Sequence, residues 1–237
     1  MIKSFLPFLL LTALAFGLEA QTHSNDRFLA YEANLDSQNL QMIWKDSDGN
    51  TVGNFKTLKQ QLAEDGKTLV FAMNGGMFRV DQSPQGLYIE NGKELHQVNK
   101  VQEAYGNFYM QPNGIFYITN RQEAIVVATK DFDRTNDIIF ATQSGPMLLI
   151  DGDFHPAFNK GSSNLNIRNG VGVLPNGNAL FVMSKVEVNF YDFALFFKEL
   201  GCQNALYLDG AVSRTYLPSQ QWQQLEGGFG VIIFEVE

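Results

Sequence analysis

The sequence predicts an α+β fold, in which two main helices pack on a largely antiparallel sheet system of short strands and hairpins. Short apolar segments recur along the chain and are separated by turn sequences such as Asn91-Gly92, Asn113-Gly114 and Asn176-Gly177, which are typical of β-hairpins. Residues 54–65 and 191–200 instead carry apolar residues at helical spacing. Many hairpins and two helices together favour this fold class.

The first 20 residues are predicted to be a signal peptide. Lys3 precedes an apolar run from Phe5 to Leu18, and Leu18-Glu19-Ala20 permits cleavage after Ala20. The run is too short for a comfortable membrane span. We therefore expect an exported protein, periplasmic or extracellular, with no stable membrane insertion after cleavage. Residues 21–237 are long enough for one sizeable core and are predicted to form a single domain.

Composition narrows the classes of function. The chain has a net charge of -8 and no basic stripe, so nucleic acid is not an expected partner. Its lone cysteine, Cys202, cannot form an internal disulfide and is expected to be a small buried hydrophobic residue. The segment Asp46–Asn50 resembles a calcium loop, but Thr57 stands where a bidentate glutamate belongs. We therefore predict neither a metal ion nor a cofactor.

In the first half of the chain, two apolar segments, Arg27–Asn34 and Asn39–Lys45, are predicted to pair as a hairpin. Phe55, Leu58 and Leu62 then give the first helix an apolar face, and a buried strand follows at residues 69–73. A meander of hairpins is predicted next, with strands at residues 86–89 and 94–98, 108–110 and 115–119, and 123–129.

In the second half, apolar strands are predicted at residues 138–142, 147–150, 171–174 and 179–183. The second helix carries apolar residues at Phe190, Phe193, Ala194, Phe197 and Leu200. A short buried strand follows at residues 205–208, and the chain closes with a strand at residues 230–236.

Polar residues follow several of these strands. Asp209 comes directly after a buried strand and precedes a small-residue loop, which can hold a carboxylate at the rim of a site. The alternative is a strand-ending turn, because Asp-Gly marks turns generally. Asn74-Gly75-Gly76 similarly permits close approach of the backbone to a ligand, or forms a tight hairpin turn.

Two further segments carry polar groups. Gln143-Ser144-Gly145 places an amide and a hydroxyl between two core strands. Arg168 lies between a polar loop and a core strand, where its planar guanidinium can bind a phosphate or carboxylate. The alternative for Arg168 is a structural ion pair with one of the chain's acids.

Five motifs together resemble the phosphodiester glycosidase family, which includes the animal enzyme that uncovers mannose 6-phosphate on lysosomal hydrolases. The resemblance covers residues 69–237, and its specificity lies in the order and spacing of the motifs rather than in any one of them. The motifs are Asn74–Phe78, Gln143–Pro146, Arg168–Gly172, Phe190–Gly201 and Leu208–Ser213. The chain departs from the family pattern at Ala211, at Asn189-Phe190-Tyr191 and at Ser184.

The resemblance implies hydrolysis of the bond between an anomeric sugar carbon and a phosphodiester. The leaving group would be a phosphate monoester with a second pKa of about 6, which departs without a strong general acid. One carboxylate and one arginine are therefore expected, rather than the acid pair of an ordinary glycosidase. Asp209 would act as base or nucleophile or stabilise the cationic transition state, and Arg168 would stabilise the phosphate. Asp192 is either a second carboxylate or a helix cap.

The remaining candidate residues would bind sugar hydroxyls or phosphate oxygens through side chains or backbone N–H groups: Asn74, Gly75, Gly76, Gln143, Ser144, Gly145, Asn169, Ser184 and Ser213. The expected partner is a small-molecule or glycan substrate with an anionic phosphodiester. The alternative function is a non-catalytic envelope module that binds a sugar phosphate or glycan, and such a module would not need an ionised Asp209.

Overall fold

The computed structural model describes residues 23–210 and 212–237 and has the predicted α+β fold. The predicted signal peptide lies outside the described residues. Both predicted helices are confirmed, as α1 (Phe55–Glu64) and α2 (Phe190–Glu199). Neither of them combines the length and apolar character that crossing a membrane would require.

The strands are short, and neighbouring strands pair in antiparallel fashion throughout the described residues. In chain order they are β1 (Phe28–Ala33), β2 (Leu40–Ile43), β3 (Leu69–Asn74), β4 (Tyr88–Glu90), β5 (Lys93–His96), β6 (Gly114–Thr119), β7 (Ala124–Ala128), β8 (Ile138–Ser144), β9 (Met147–Ile150), β10 (Asp153–Phe154), β11 (Asn169–Val173), β12 (Ala179–Ser184), β13 (Ala205–Asp209), β14 (Thr215–Leu217), β15 (Trp222–Gln223) and β16 (Ile232–Val236).

These strands form three sheets around a shared core. The first has the order β1-β12-β11-β13-β9-β10, the second β15-β14-β3-β16-β2, and the third β5-β4-β8-β6-β7. The largest cluster of buried side chains draws on all three sheets, with Phe181 from the first, Phe71 from the second and Phe116 from the third. The sheets therefore enclose one core, which supports a single folded unit.

Helix α2 packs on the outer face of the first sheet. The alternation Asn169-Gly170-Val171-Gly172 makes this close packing possible, because a Cβ atom at Gly172 would lie 2.8 Å from Phe197 Cδ1. Cys202 is buried in the same layer, as predicted. Burial raises the pKa of its thiol to about 12, so the thiolate that a cysteine nucleophile requires is disfavoured.

Helix α1 covers the second sheet with the predicted apolar face of Phe55, Leu58 and Leu62. Its first turn is capped by Asn54, whose Oδ1 accepts a hydrogen bond of 2.8 Å from Thr57 N. Such a cap satisfies one of the backbone donors that a helix start leaves without an intrahelical partner.

Several predicted hairpins are confirmed, and two are wrong. β4 pairs with β5, and β11 with β12. β1 and β2 form close to the predicted positions but do not pair with each other: β1 joins β12 in the first sheet and β2 joins β16 in the second. In place of the strand predicted at residues 108–110, the chain forms a 3-10 turn at Asn107–Tyr109. In both places long-range pairing overrides the local pattern, and β6 takes β7 and β8 as its neighbours.

Candidate active site

Strand ends from all three sheets meet around Asp209. β13 ends at Asp209, which is paired in register with Asn169 at the start of β11. β3 of the second sheet ends at Asn74, within hydrogen-bonding distance of both. β8 of the third sheet ends at Ser144, whose Oγ donates a hydrogen bond of 2.7 Å to the carbonyl of Leu208. The fold therefore brings together polar residues from the ends of separate strands.

The Asp209 carboxylate is almost buried, with 7% of the residue exposed. Its Oδ1 accepts a hydrogen bond of 2.6 Å from the backbone N–H of Gly210. Its Oδ2 accepts a longer bond of 3.4 Å from Asn74 Nδ2. Both donors are N–H groups directed at carboxylate oxygens, an arrangement that suits an anion. The carboxylate is thus fixed in orientation at the rim of the sheet.

Two asparagine amides hold the loop that carries this carboxylate. Asn169 Nδ2 donates to the backbone oxygen and to Oδ1 of Asn74, at 2.9 Å each. Asn169 Oδ1 accepts from Asp209 N at 2.8 Å and from Ser213 Oγ at 3.4 Å. Asn74 Oδ1 also accepts from Arg214 N at 2.9 Å. The amides therefore join β3, β11 and residues 209–214, and they fix the position of Asp209 relative to its surroundings.

Arg168 lies beneath the site with no exposed surface. Its Nε donates to Val188 O at 2.8 Å, and its Nη2 donates to the O and Oδ1 of Asn164 at 2.9 and 2.8 Å. The guanidinium carbon stands 3.6 Å from the centre of the Phe190 ring. No acid within the described ranges forms a salt bridge with it. In this conformation the guanidinium has no surface that a ligand can contact.

Tyr207 connects the two charged groups and was not among the predicted site residues. Its hydroxyl accepts a hydrogen bond of 3.3 Å from Arg168 Nη1. It also lies so close to Gly210 that a Cβ atom there would be 1.8 Å from it. Burial raises the pKa of the hydroxyl well above its ordinary value; Arg168 opposes this rise and Asp209 adds to it. Tyr207 therefore lies between Arg168 and the Asp209-Gly210 turn.

The three predicted serines bind the backbone of the site. Ser184 Oγ accepts from Arg168 N at 2.9 Å, and Ser213 Oγ donates to the carbonyl of Asp209 at 2.9 Å. Both residues, like Ser144, are buried. Their hydroxyls therefore position the backbone at Leu208, Arg168 and Asp209.

The amide of Gln143 is occupied by the protein itself. Its Oε1 accepts from Leu87 N and Asn99 N at 2.9 and 2.8 Å, and its Nε2 donates to Asn99 O and Thr129 Oγ1 at 2.8 and 3.2 Å. An amide has two donors and two acceptor positions, so these four bonds use all of them. Gln143 anchors the loop that follows β5. In this conformation its side-chain amide has no donor or acceptor left for the predicted contact with substrate.

The predicted site glycines are required by packing. A Cβ atom at Gly75 would lie 2.7 Å from Ile233 Cγ1, and one at Gly145 would lie 2.6 Å from Asn113 Cβ. Gly76 has a φ of +150°, a conformation that favours glycine. These positions allow the strand ends to approach one another closely, which brings Asn74 and Ser144 to the site.

Asp192 does not lie beside Asp209. Its carboxylate forms an ion pair of 3.1 Å with Arg27, just before β1. β1 and β13 are three strands apart in the first sheet, or about 14 Å at the usual strand spacing. The cap of α2 is Asn189, whose Oδ1 accepts from Asp192 N at 2.8 Å. The structure thus favours neither proposed role of the Asp192 side chain.

The structure also shows no group of three or more metal-binding side chains in residues 23–210 and 212–237.

Arg214 is a second residue of the site that the sequence reasoning missed. Its backbone N–H binds Asn74, and its Nη1 donates to Ser213 O at 2.8 Å, while the side chain is exposed. The available signal was its position directly after the Leu208–Ser213 motif. For Tyr207 the signal was its place two residues before Asp209, since alternate residues of a strand share a face.

Comparison with known proteins supports one family. A model of the phosphodiester glycosidase family matches residues 67–230. The chain is 37% identical to the uncharacterized protein YigE of Escherichia coli over 189 residues, which are 79% of this chain and 73% of YigE.

Solved structures share the fold at low sequence identity. The zebrafish N-acetylglucosamine-1-phosphodiester alpha-N-acetylglucosaminidase catalytic domain, auto-inhibited by its pro-peptide, matches with a TM-score of 0.57 and 14% identity, over 91% of this chain and 90% of that domain. A Burkholderia pseudomallei protein for which export is proposed matches with a TM-score of 0.53 and 12% identity, over 88% of this chain and 73% of its own. The family match over more than half the chain, with the YigE identity, shows that this chain belongs to the phosphodiester glycosidase family.

Proposed function

We propose that this protein hydrolyses the bond between the anomeric carbon of a sugar and the oxygen of a phosphodiester. The observation that carries the proposal is the oriented Asp209 carboxylate, held at the meeting point of three sheets by Asn74 and Gly210. The chain's membership of the phosphodiester glycosidase family supports the reaction class.

In the proposed reaction the C1–O bond breaks and its electron pair stays on the phosphate oxygen. The oxygen of a water molecule forms the new bond to C1, and the water proton passes to a base and then to solvent. The products are a free sugar and a phosphate monoester. Because this leaving group has a second pKa of about 6, the reaction needs no acidic partner beside Asp209, consistent with Asp192 lying elsewhere.

Asp209 is the proposed catalytic carboxylate. It acts as general base or nucleophile, or stabilises positive charge at the anomeric carbon as the C1–O bond breaks. Its near-complete burial strengthens each of these roles, because charge interactions are screened less where water is excluded. Asn74 and Asn169 position the carboxylate, and Ser144, Ser184 and Ser213 hold the backbone around it.

Arg168 contributes a buried positive charge on the far side of Tyr207. In the described conformation its donors bind Val188, Asn164 and Tyr207, so we propose that it acts through its field and by supporting Tyr207. A fixed cation near the reacting centre stabilises the negative charge that develops on the leaving phosphate.

The proposed substrate class is a small molecule or glycan that carries an anionic sugar phosphodiester. Export to the periplasm or beyond stays a prediction from residues 1–20, and it would place the enzyme among envelope or extracellular glycans. Cell-wall sugar phosphodiesters and capsule fragments are candidates that share this chemistry.

The test is turnover of a panel of sugar 1-phosphodiesters, including UDP-N-acetylglucosamine and simple alkyl phospho-sugars. Asp209→Asn should lower turnover at least 1,000-fold, on the order expected when a catalytic carboxylate is lost, while the melting temperature shows that the fold is kept. Asp36→Asn, at an exposed turn, is the matched control and should keep wild-type turnover.

The competing function is a module that binds the same ligands without cleaving them. It predicts binding of the panel without turnover, and an Asp209→Asn variant that binds as well as wild type. Full turnover by a folded Asp209→Asn variant would contradict the proposed role of the carboxylate.

A further inference from the structure

The site has a second guanidinium, and it is exposed. Arg214 follows the loop that begins at Asp209, and its backbone N–H binds Asn74 Oδ1 at 2.9 Å. The same Asn74 amide donates to Asp209 Oδ2 at 3.4 Å. The backbone of Arg214 is therefore two hydrogen bonds from the carboxylate, and one asparagine fixes both.

The Arg214 side chain is oriented but retains donors. Its Nη1 donates to Ser213 O at 2.8 Å, and Ser213 Oγ in turn donates to the carbonyl of Asp209 at 2.9 Å. A guanidinium has five N–H donors, and no hydrogen bond from Nε or Nη2 of Arg214 is formed within residues 23–210 and 212–237. Those donors form one edge of the planar fork.

Arg214 differs from three other arginines of the chain in its ion pairing. Arg27, Arg121 and Arg134 each form an ion pair with an aspartate or glutamate, whereas Arg214 forms none in the part of the chain that the structure describes. Arg214 is thus an exposed guanidinium whose backbone shares the Asn74 amide with Asp209, and in a protein with a net charge of -8 it supplies a local positive charge for an anion.

Arg168, the other arginine of the site, has no exposed donors to offer an anion. Arg168 is buried and binds Val188, Asn164 and Tyr207. Direct contact with a phosphate would require these bonds to break, which would leave buried polar groups without partners and is unfavourable. Arg214 needs no such rearrangement.

We propose that Arg214 binds the phosphate of the substrate, and that it makes the site selective for sugars whose anomeric oxygen carries a charged phosphodiester. This inference rests on the proposed function and gives the two arginines different roles. Arg214 contacts the phosphate oxygens through its Nε and Nη2 edge, in the bidentate manner usual for arginine and phosphate. Arg168 supports the site from below.

The experiment measures binding and turnover separately. Wild type, Arg214→Ala and Arg214→Lys are titrated calorimetrically with UDP-N-acetylglucosamine, with a methyl phosphodiester of N-acetylglucosamine and with the uncharged methyl α-glycoside of the same sugar. Arg121→Ala is the matched control, because it removes an exposed arginine at the β6–β7 turn, whereas the opposite end of β6 pairs with Ser144.

Arg214→Ala should weaken binding of the phosphodiesters about 10- to 100-fold, as expected for lost charge-assisted hydrogen bonds. Binding of the uncharged glycoside should change less than threefold. Arg214→Lys should restore part of the loss because lysine supplies charge without the fork. Arg121→Ala should bind as wild type does.

The outcomes separate this inference from the proposed function. Wild-type affinity in Arg214→Ala, an equal loss with Arg121→Ala, or failure of wild type to bind any phosphodiester in the panel would each overturn the inference. If Arg214→Ala kept both its turnover and its KM, the glycosidase function would be supported and the role of Arg214 in binding phosphate would be wrong. Selective, Arg214-dependent binding without turnover would support the inference and contradict the hydrolytic function.

Discussion

At the scale of single residues, the site consists of one carboxylate and two guanidinium groups at different depths. Asp209 lies at the rim, Arg214 is exposed beside it, and Arg168 is buried below it. Tyr207 lies between the buried charge and the Asp209-Gly210 turn. In the proposed function, Arg214 meets the anionic phosphodiester at the surface, Asp209 is the catalytic carboxylate, and Arg168 stays buried below both.

The hydrogen bond between Tyr207 and Arg168 can be tested by removing one hydroxyl. Tyr207→Phe leaves a buried guanidinium N–H without its acceptor, which should destabilise the protein by about 1–3 kcal/mol. Urea denaturation measures the change, with Tyr105→Phe as the control because Tyr105 is wholly exposed. Equal stability of wild type and Tyr207→Phe would show that the hydroxyl does not hold Arg168.

The sequence predicts part of the residue set that meets at the site, but it does not predict Tyr207 or Arg214 and it wrongly suggests Asp192 as a second carboxylate there. The strand ends indicate Asp209 and Asn74, the family resemblance adds Asn169, and the three residues lie in contact. The burial of Arg168 depends on Asn164 and Val188, which reach it only when the loop before β11 and the segment before α2 are folded. Contacts of this kind leave no local pattern in a sequence.

At the scale of elements, the distance between α2 and β11 is set by glycine. A Cβ atom at position 172 would lie 2.8 Å from Phe197 Cδ1 and 2.9 Å from Cys202 Sγ. The helix therefore packs directly on the strand that begins with Asn169. Because Phe190 also packs against Arg168 and Tyr207, the same helix supports the floor of the site.

Gly172→Ala should destabilise the protein by about 1–3 kcal/mol, as overpacking of a close-packed core does. Gly228→Ala is the control, because its Cβ atom would meet Gln82 Nε2 at an ordinary 3.5 Å and alanine restricts the unfolded chain. Thermal melts of both variants measure the difference. If the two variants melted at the same temperature, the packing argument for α2 would be wrong.

The sequence predicts strand pairs that a local turn sets, but not pairs between strands that lie far apart in the chain. The hairpins β4–β5 and β11–β12 have Asn-Gly turns whose geometry sets the pairing. The turn after β1 lacks this constraint. β1 pairs with β12 and β2 pairs with β16, each more than a hundred residues away in the chain. This pairing depends on which strand edges the rest of the fold leaves open.

At the scale of the whole molecule, a buried acid joins two sheets. Glu235 of β16 accepts hydrogen bonds from Tyr31 of β1 and, at 2.9 Å, from Gln38 Nε2. Burial raises its pKa above the ordinary 4.5, although the bonds from Tyr31 and Gln38 oppose the rise and the nearby Glu237 adds to it. Folding therefore favours the protonated form of this acid.

The stability that protonated Glu235 provides is fully present below the unfolded pKa of about 4.5 and is lost as the pH rises through the higher folded pKa. Glu235→Gln mimics the neutral acid at every pH. The melting temperature of wild type should therefore fall relative to that of Glu235→Gln as the pH rises above about 4.5. Melts from pH 4 to 8 test this: the melting temperature of wild type minus that of Glu235→Gln should fall across the range, and a difference that stays constant or rises with pH would contradict the sign of the shift.

The central claim is that the sugar C1–O bond is cleaved, and not the P–O bond. Hydrolysis of a sugar 1-phosphodiester in water enriched in oxygen-18, followed by mass spectrometry of both products, tests it most directly. The account predicts the label in the anomeric hydroxyl of the released sugar and an unlabelled phosphate monoester. Label in the phosphate would show attack at phosphorus and contradict the assignment of this site as a glycosidase.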